Sequence, residues 1–353
     1  MKLLFGGQGA IGLSGGMIMV ALLMRAAQEQ GHDVLTLTAE PAPEWWPDEL
    51  PVRVGGFGDL EAPDDPASFD AVVTGLEAVE AALAAGFPVV VQLCAGFEPD
   101  LWPEARARFE GMYRQPTLKA VIAPHIQRSI EREFGLRSEV IGSPLDLSSF
   151  SPASGHAGAA PAGAGDRPLR VLTVGPEPTE GYAPVPFKGI ANVLEIMRRV
   201  RERGHELELV RLTPYADSLN DSEQLDEVHV GVEPARVPEI YRSCDVYLGA
   251  STAAEGLGMP PFEAACSGLA SVIPAIPSYL DVPALERCAL LYPPGNLDQA
   301  AAELERLSED RALLARLAAA GPRCGFRELF DPAAVATRLV AAIERYRGDP
   351  DRG

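Results

Sequence analysis

Twice along this chain, short apolar runs of strand length alternate with longer helix-length stretches, and a block of small residues separates the two series. In the first series the strands read at Lys2–Phe5, Val34–Thr38, Ala71–Thr74, Val89–Leu93, Lys119–Ala123 and Glu139–Ile141. Helices read at Met17–Gln30, Glu77–Ala85, Glu104–Gly111 and Ile126–Phe134. Residues 151–168, SPASGHAGAAPAGAGDRP, hold nothing large enough to bury and read as a linker. The second series has strands at Arg170–Val174, Leu207–Leu212, Val228–Val230, Val246–Gly249, Ser271–Ile273 and Leu290–Tyr292. Its helices read at Ile190–Arg203, Val237–Cys244, Phe262–Ser267, Asp298–Leu307 and Arg311–Ala320, with a final amphipathic one at Ala333–Tyr346. Apolar strands that alternate with helices belong to a parallel sheet covered on both faces. Two such domains, 1–150 and 169–330, place a ligand cleft at the C-terminal ends of their strands.

Composition narrows the class of partner. The net charge of −20 argues against nucleic acid or an anionic membrane. The stretch from Glu40 to Glu80 has Arg53 as its only cation and reads as a solvated face or as a surface that selects an acceptor. Five scattered cysteines, Cys94, Cys244, Cys266, Cys288 and Cys324, form no C-x-x-C. They fit a reducing cytoplasm and offer neither a disulfide framework nor a metal site. The apolar run Met17–Met24 is too short to span a bilayer, which takes ~20 residues, and no small-residue cleavage site follows it.

The densest chemistry lies in Glu255-Gly-Leu-Gly-Met-Pro-Pro-Phe-Glu263. A strand-like segment precedes it and a short helix follows, so Glu255 falls on a loop and Glu263 in a first helical turn. Gly256 and Gly258 let backbone approach a ligand closely, and Pro260-Pro261 suit a helix start. The spacing predicts a helix N-terminus with free amides, an anion site, bracketed by two carboxylates that accept hydrogen bonds from hydroxyls. A nucleotide diphospho-sugar has phosphates in its middle and polyol groups at both ends, which matches that layout.

This run resembles the E-x7-E signature of glycosyltransferase family 4, the group 1 glycosyltransferases. The segments Glu239-Ile-Tyr-Arg-Ser-Cys-Asp-Val246 and Leu290-Leu-Tyr-Pro-Pro-Gly295 are similar to the family's flanking segments. The resemblance is close in the second half and looser in the first. It implies the GT-B fold, two Rossmann-like α/β domains facing a cleft, with a C-terminal helix (331–353) that crosses back to the first domain. For the site it implies Glu255 on the transferred sugar, Glu263 on the ribose, and the diphosphate against Lys188 and the backbone of Gly256, Leu257 and Gly258. Lys188-Gly189 matches the family's Lys-Gly, but Pro176 stands where the family has an arginine, and Arg211 is a candidate substitute.

Near the N-terminus, Gly7-Gln-Gly-Ala-Ile-Gly12 matches G-x-G-x-x-G after a strand. A dinucleotide site needs its helix to open at the third glycine and an acid at the end of the second strand. Here Ser14-Gly15-Gly16 interrupts that helix, and Asp33 precedes the second strand. Gly15 and Gly16 therefore read as the opening of the helix, with amides free for a phosphate or sugar, or as a tight structural turn. In the family a glycine pair at this place lies against the donor. After the strand ending Val91, Gln92 and Glu98 are acceptor-side candidates, and V-Q followed by F-E-P is similar to a subgroup that includes bacterial rhamnosyltransferases. Glu98 is offered as a base for the acceptor hydroxyl, and His125, in A-P-H at a strand end, is a third acceptor-side candidate.

The expectation is a cytoplasmic hexosyl-type transferase, retaining and independent of metal or other cofactor. It moves a sugar from a nucleotide diphospho-sugar to a saccharide or other hydroxyl acceptor. No D-x-D stands in a metal-binding context, no protein nucleophile is assigned, and no membrane-docking helix is read. The alternatives are a nucleotide-sugar epimerase or hydrolase on the same fold, and a non-catalytic sugar-nucleotide binding protein, which the missing arginine favours.

Overall fold

The computed structural model describes residues 1–6, 9, 11–152, 167–177 and 186–349. Most of the Gly/Ala-rich linker and the stretch 178–185 lie outside the described residues. The chain divides into two compact units, Met1–Asp146 with Phe330–Gly353, and Leu147–Leu329.

The first unit is built on strands β1 (Lys2–Gly6), β2 (Asp33–Thr38), β3 (Val52–Val54), β4 (Ala71–Thr74), β5 (Val90–Cys94), β6 (Leu118–Val121) and β7 (Glu139–Val140). All pairings are parallel, in the order β3-β2-β1-β4-β5-β6-β7. Every residue of β4 and β5 is buried, as a sheet covered on both faces requires. Helices α1 (Gly15–Glu29), α2 (Val79–Ala85), α3 (Glu98–Leu101), α4 (Arg106–Tyr113) and α5 (Pro124–Phe134) link them. Two of these elements, β3 and α3, are absent from the sequence reading. Val-Arg-Val is too short to show a period, and Glu-Pro-Asp-Leu gives only one turn.

The second unit carries β8 (Leu169–Val174), α6 (Ile190–Glu202), β9 (Leu207–Thr213), β10 (Glu227–Val230), α7 (Val237–Arg242), β11 (Val246–Leu248), α8 (Pro260–Ser267), β12 (Ala270–Pro274), α9 (Pro277–Leu280), β13 (Ala289–Tyr292), α10 (Leu297–Glu309), α11 (Arg311–Ala320) and α12 (Phe326–Leu329). Its strands are parallel in the order β10-β9-β8-β11-β12-β13. The direction of winding therefore reverses between β8 and β11, the place where open α/β sheets characteristically hold their ligands. Helix α6 shows why this sequence folds so. Ile190, Val193, Leu194, Met197 and Val200 recur at helical spacing and are buried. Arg198 and Arg199 point outward to Glu195. The buried face packs with Val171, Leu209, Val246, Val272 and Leu304 in one core cluster.

The last helix, α13 (Pro332–Gly348), packs on α1 within the first unit. Val335, Ala336, Leu339, Ala342 and Ile343 form its buried face. Gln30 Nε2 donates to the Ala333 carbonyl at 2.7 Å, Arg338 Nε to the Ile141 carbonyl at 2.6 Å, and Arg347 pairs with Asp70 at 2.6 Å. If this helix is part of the first unit's core, Leu339→Ala destabilises that unit by ~2–5 kcal/mol. Urea unfolding followed by circular dichroism measures it, and a loss below ~1 kcal/mol would show a merely peripheral helix.

Candidate functional site

In the second unit the reversal of strand order brings together the loops after β8 and β11. Gly175, φ +139°, follows β8, and a side chain there would meet the Lys188 stem at 2.9 Å. Gly189, φ +64°, then turns the chain into α6. A Cβ at this glycine would lie 2.2 Å from the Ala250 carbonyl oxygen, so only glycine fits. Thr252 N–H donates to the Phe187 carbonyl at 2.8 Å and ties the two loops together.

Held in this way, Lys188 Nζ reaches both oxygens of Glu255, at 3.0 and 2.9 Å, and Ser251 Oγ donates to Glu255 Oε2 at 2.9 Å. The Lys188 and Glu255 side chains are 16% and 6% exposed. Glu263, eight positions on, lies in the first turn of α8 and accepts a hydrogen bond from the buried Tyr241 hydroxyl. Burial pushes the Glu263 carboxyl up, against the lowering effects of that hydrogen bond and of the Lys188 charge. Glu255, Glu263 and Lys188, three residues singled out by sequence, thus share one neighbourhood.

Of the two places where the sequence reading expects free amides, the helix start and the loop of Gly256, Leu257 and Gly258, only the loop has them. Pro260 and Pro261 open α8 and have no N–H, while the Phe262 and Glu263 amides both donate to the Met259 carbonyl, at 3.0 and 3.3 Å. The helix start therefore offers no free donor in its first turn. Among the described residues, the amides of Gly256, Leu257, Gly258 and Met259 make no hydrogen bond to protein. The loop itself is the donor set, and Gly258, at φ +71°, gives it its turn.

Arg211, the candidate substitute for the missing arginine, is 0% exposed. Its guanidinium grips Asp217 at 2.7 and 2.5 Å and also donates to Asn220 Oδ1 and to the Gly175 carbonyl. Burial alone would raise Asp217, but the Arg211 hydrogen bond and the amides of Glu177 and Leu219 hold its carboxyl below the usual range. In this structure Arg211 fastens the loops after β8 and β9. Its charge is already matched by a carboxylate that is itself buried.

In the first unit, Gly15 and Gly16 open α1, as the sequence reading expects, and their amides have no protein acceptor among the described residues. Ser14 caps the helix by accepting from Met17 N–H at 3.3 Å. Gly7, Gln8 and Ala10 of the glycine-rich run lie outside the described residues. Gln92 is fully buried, and its Oε1 accepts from Thr117 Oγ1 at 3.3 Å. Glu98 opens α3 and accepts from the Tyr113 hydroxyl. Burial lifts the Glu98 carboxyl from 4.5 to about 7, against the lowering effect of Tyr113. His125 is buried in the first turn of α5, with Asp100 feeling its charge.

Sequence reasoning missed the partners that hold these groups: Ser251, Tyr241, Asp217 and Tyr113. Each contacts its target through the fold, across 4, 22, 6 and 15 positions respectively. Only the loop pair Ser251/Glu255 was near enough in sequence to suggest itself.

Against this geometry stand the comparisons. Residues 185–323 match the family described as glycosyl transferases group 1. That stretch lies within the second unit and takes in less than half of the chain. The MMP alpha-(1->4)-mannosyltransferase of Mycolicibacterium hassiacum is 32% identical over 173 residues. That alignment takes in 46% of this chain and 41% of the relative, so this chain spans less than half of the curated relative it matches. Among solved structures, sucrose-phosphate synthase from Thermosynechococcus elongatus superposes with a TM-score of 0.75 at 15% identity, over 98% of each chain. Anabaena Alr3699/HepE, solved in complex with UDP and glucose, superposes at 0.74 and 16% identity, over 98% of this chain and 100% of that one. The GT-B fold implied by the group 1 resemblance is therefore the fold of this chain. Among the described residues, no group of three or more His, Cys, Asp and Glu side chains is placed to hold a metal ion, and no helix is long and apolar enough to cross a membrane.

Two outcomes are expected of this site. The native Glu98 carboxyl titrates above its unfolded value, so the folded state binds the extra proton between pH ~4.5 and ~7 and loses relative stability as pH rises through that window. Glu98→Gln removes this loss. Melting temperatures taken from pH 5 to 8 should fall less steeply in the variant, and identical slopes would show an unshifted Glu98. Arg211→Met leaves Asp217 buried without its cation and lowers stability by ~3–5 kcal/mol in a denaturant titration. A neutral result would show that the clamp carries no weight.

Proposed function

We propose that this chain is a glycosyltransferase that moves a sugar from a nucleotide diphospho-sugar to a hydroxyl acceptor, with retention at the anomeric carbon. The observation that carries this reading is the joining of Lys188 to Glu255 beside a loop of four unbonded amides, at the point where strand order reverses. A leaving diphosphate needs fixed positive charge and aimed donors. The Gly256–Met259 amides are such donors. Lys188, paired with Glu255 as Arg211 is with Asp217 but 16% exposed where Arg211 is sealed, is the cation a ligand can reach. Glu255 and Glu263 each keep acceptor capacity for hydroxyls, of the transferred sugar and of the ribose. The group 1 match over residues 185–323 and the UDP and glucose held by HepE support a sugar-nucleotide donor.

In this reaction the bond from the anomeric carbon to the phosphate oxygen breaks, and a bond to the acceptor oxygen forms on the same face. The acceptor's proton passes to the departing phosphate, so no protein nucleophile is needed. The Glu98 carboxyl, near 7, is a second proton acceptor suited to neutral pH. His125 belongs with it on the acceptor side, whereas Gln92, sealed within β5, does not reach an acceptor. Gly15 and Gly16 offer the donor two further amides. The reading draws on no metal, since cationic and amide donors take the developing charge. Free cysteines throughout are consistent with work in a reducing cytoplasm.

A binding-only reading draws on Pro176 in place of the family arginine and on the internal pairing of Arg211. Turnover decides between them. A thermal-shift screen against UDP, GDP, ADP and dTDP identifies the nucleotide, since a ligand at 100 times its Kd stabilises by ~2.7 kcal/mol. With the matching sugar nucleotide, Glu255→Gln should lower kcat by ~10²–10³ while nucleotide binding persists. Donor consumed at the wild-type rate by that variant, or never consumed by wild type with any acceptor or water, would defeat the transferase reading.

A further inference from the structure

The loop after β12 delivers a hydroxyl to this site that the reading above leaves unused. Tyr279, in α9, is 2% exposed, and among the described residues its Oη has no hydrogen-bond partner. Four tyrosines of this unit, Tyr241, Tyr247, Tyr279 and Tyr292, make an internal comparison. Tyr241 donates to Glu263 and Tyr292 to the Gly249 carbonyl at 2.8 Å, while of the other two it is Tyr279 whose hydroxyl is sealed from solvent and unmatched among the described residues. Ser251 lies beside it and, having given its own proton to Glu255, has an oxygen able to accept, but the contact falls outside hydrogen-bond geometry.

Position makes this orphan informative. A Cβ at Gly258 would sit 2.7 Å from Tyr279 Oη and 3.1 Å from Glu255 Cγ. The phenol tip and the Glu255 side chain therefore flank the same point of the amide loop. A hydroxyl buried without a partner costs stability that phenylalanine would not. Groups of that kind persist where a ligand completes them.

We propose that the Tyr279 hydroxyl is a sugar-reading contact: it hydrogen-bonds a hydroxyl of the transferred hexose next to the one held by Glu255, and so selects for a donor that carries both. This rests on the transferase reading and adds a residue to its sugar subsite. The contact belongs to the sugar and not to the nucleotide, which gives it a distinctive signature.

Calorimetric titration of wild type and Tyr279→Phe with UDP, UDP-glucose, GDP and GDP-mannose tests it, together with the melting temperature of each protein. Whichever sugar nucleotide wild type binds should bind the variant about tenfold more weakly, the size of one neutral hydrogen bond. The matching free nucleoside diphosphate should bind both proteins alike, and the variant should melt no lower than wild type. Equal losses for nucleotide and sugar nucleotide, no loss for either, or a melting point several degrees lower would overturn the inference and leave the transferase reading standing. If wild type binds neither these four nor ADP, dTDP and their glucose conjugates, the donor site itself is wrong, and this inference falls with it.

Discussion

The ion pair between Lys188 and Glu255 is the contact that holds the candidate site of the second unit together. Two nearly buried charges are costly to remove from water, and they are kept only where geometry and extra hydrogen bonds offset that cost. Here the carboxylate takes both its contacts with the ammonium at 2.9–3.0 Å and a third from Ser251. Three glycines make this approach feasible. Gly175 leaves room for the lysine stem, Gly189 lets the chain pass the Ala250 carbonyl, and Gly258 turns the loop against Tyr279. The pair also joins the loops after β8 and β11, the two strands at which winding reverses. A ligand that enters there meets a cation, a carboxylate and free amides already fixed in place, so little ordering remains for binding to supply.

The first unit handles polarity differently. Thr74, Gln92 and Lys119 stand opposite one another on β4, β5 and β6, all buried, as a polar row across the sheet. Lys119 Nζ is satisfied by the carbonyls of Gln115 and Thr117 and by the Thr117 hydroxyl. Burial pulls the Lys119 ammonium below its usual range, with no carboxylate to restore it. Thr74 Oγ1 and Gln92 Nε2 have no partner among the described residues. Glu98, lifted by burial on the adjoining α3, completes an interior less fully neutralised than that of the second unit. Such polar interiors fix one arrangement of the surrounding elements at a cost in stability.

Much of this was legible in the residues. The strand–helix alternation gives both parallel sheets, because a strand covered on two faces must be apolar throughout and its crossover must be long enough for a helix. Glu255, Glu263 and Lys188 were legible because glycine and proline punctuate their loops in a way few other functions require. The Gly256–Gly258 backbone is left unbonded as the resemblance implies, but the helix start, also expected to offer amides, has none free. Pro260-Pro261 do mark a helix start, but residues without N–H cannot also be its donors. Arg211 looked free at a strand end because nothing local in the sequence shows that Asp217 and Asn220 fold back to it.

The sequence by itself determined the number and kind of elements, the two-unit α/β architecture and the acidic, glycine-bearing loop, since these depend on periodicity and on backbone freedom within a few residues. The tertiary structure alone decided which charges are free and which are matched. Pairing depends on distances among Lys188, Ser251, Glu255 and Tyr279, or between Arg211 and Asp217, and those are set by which strands lie side by side.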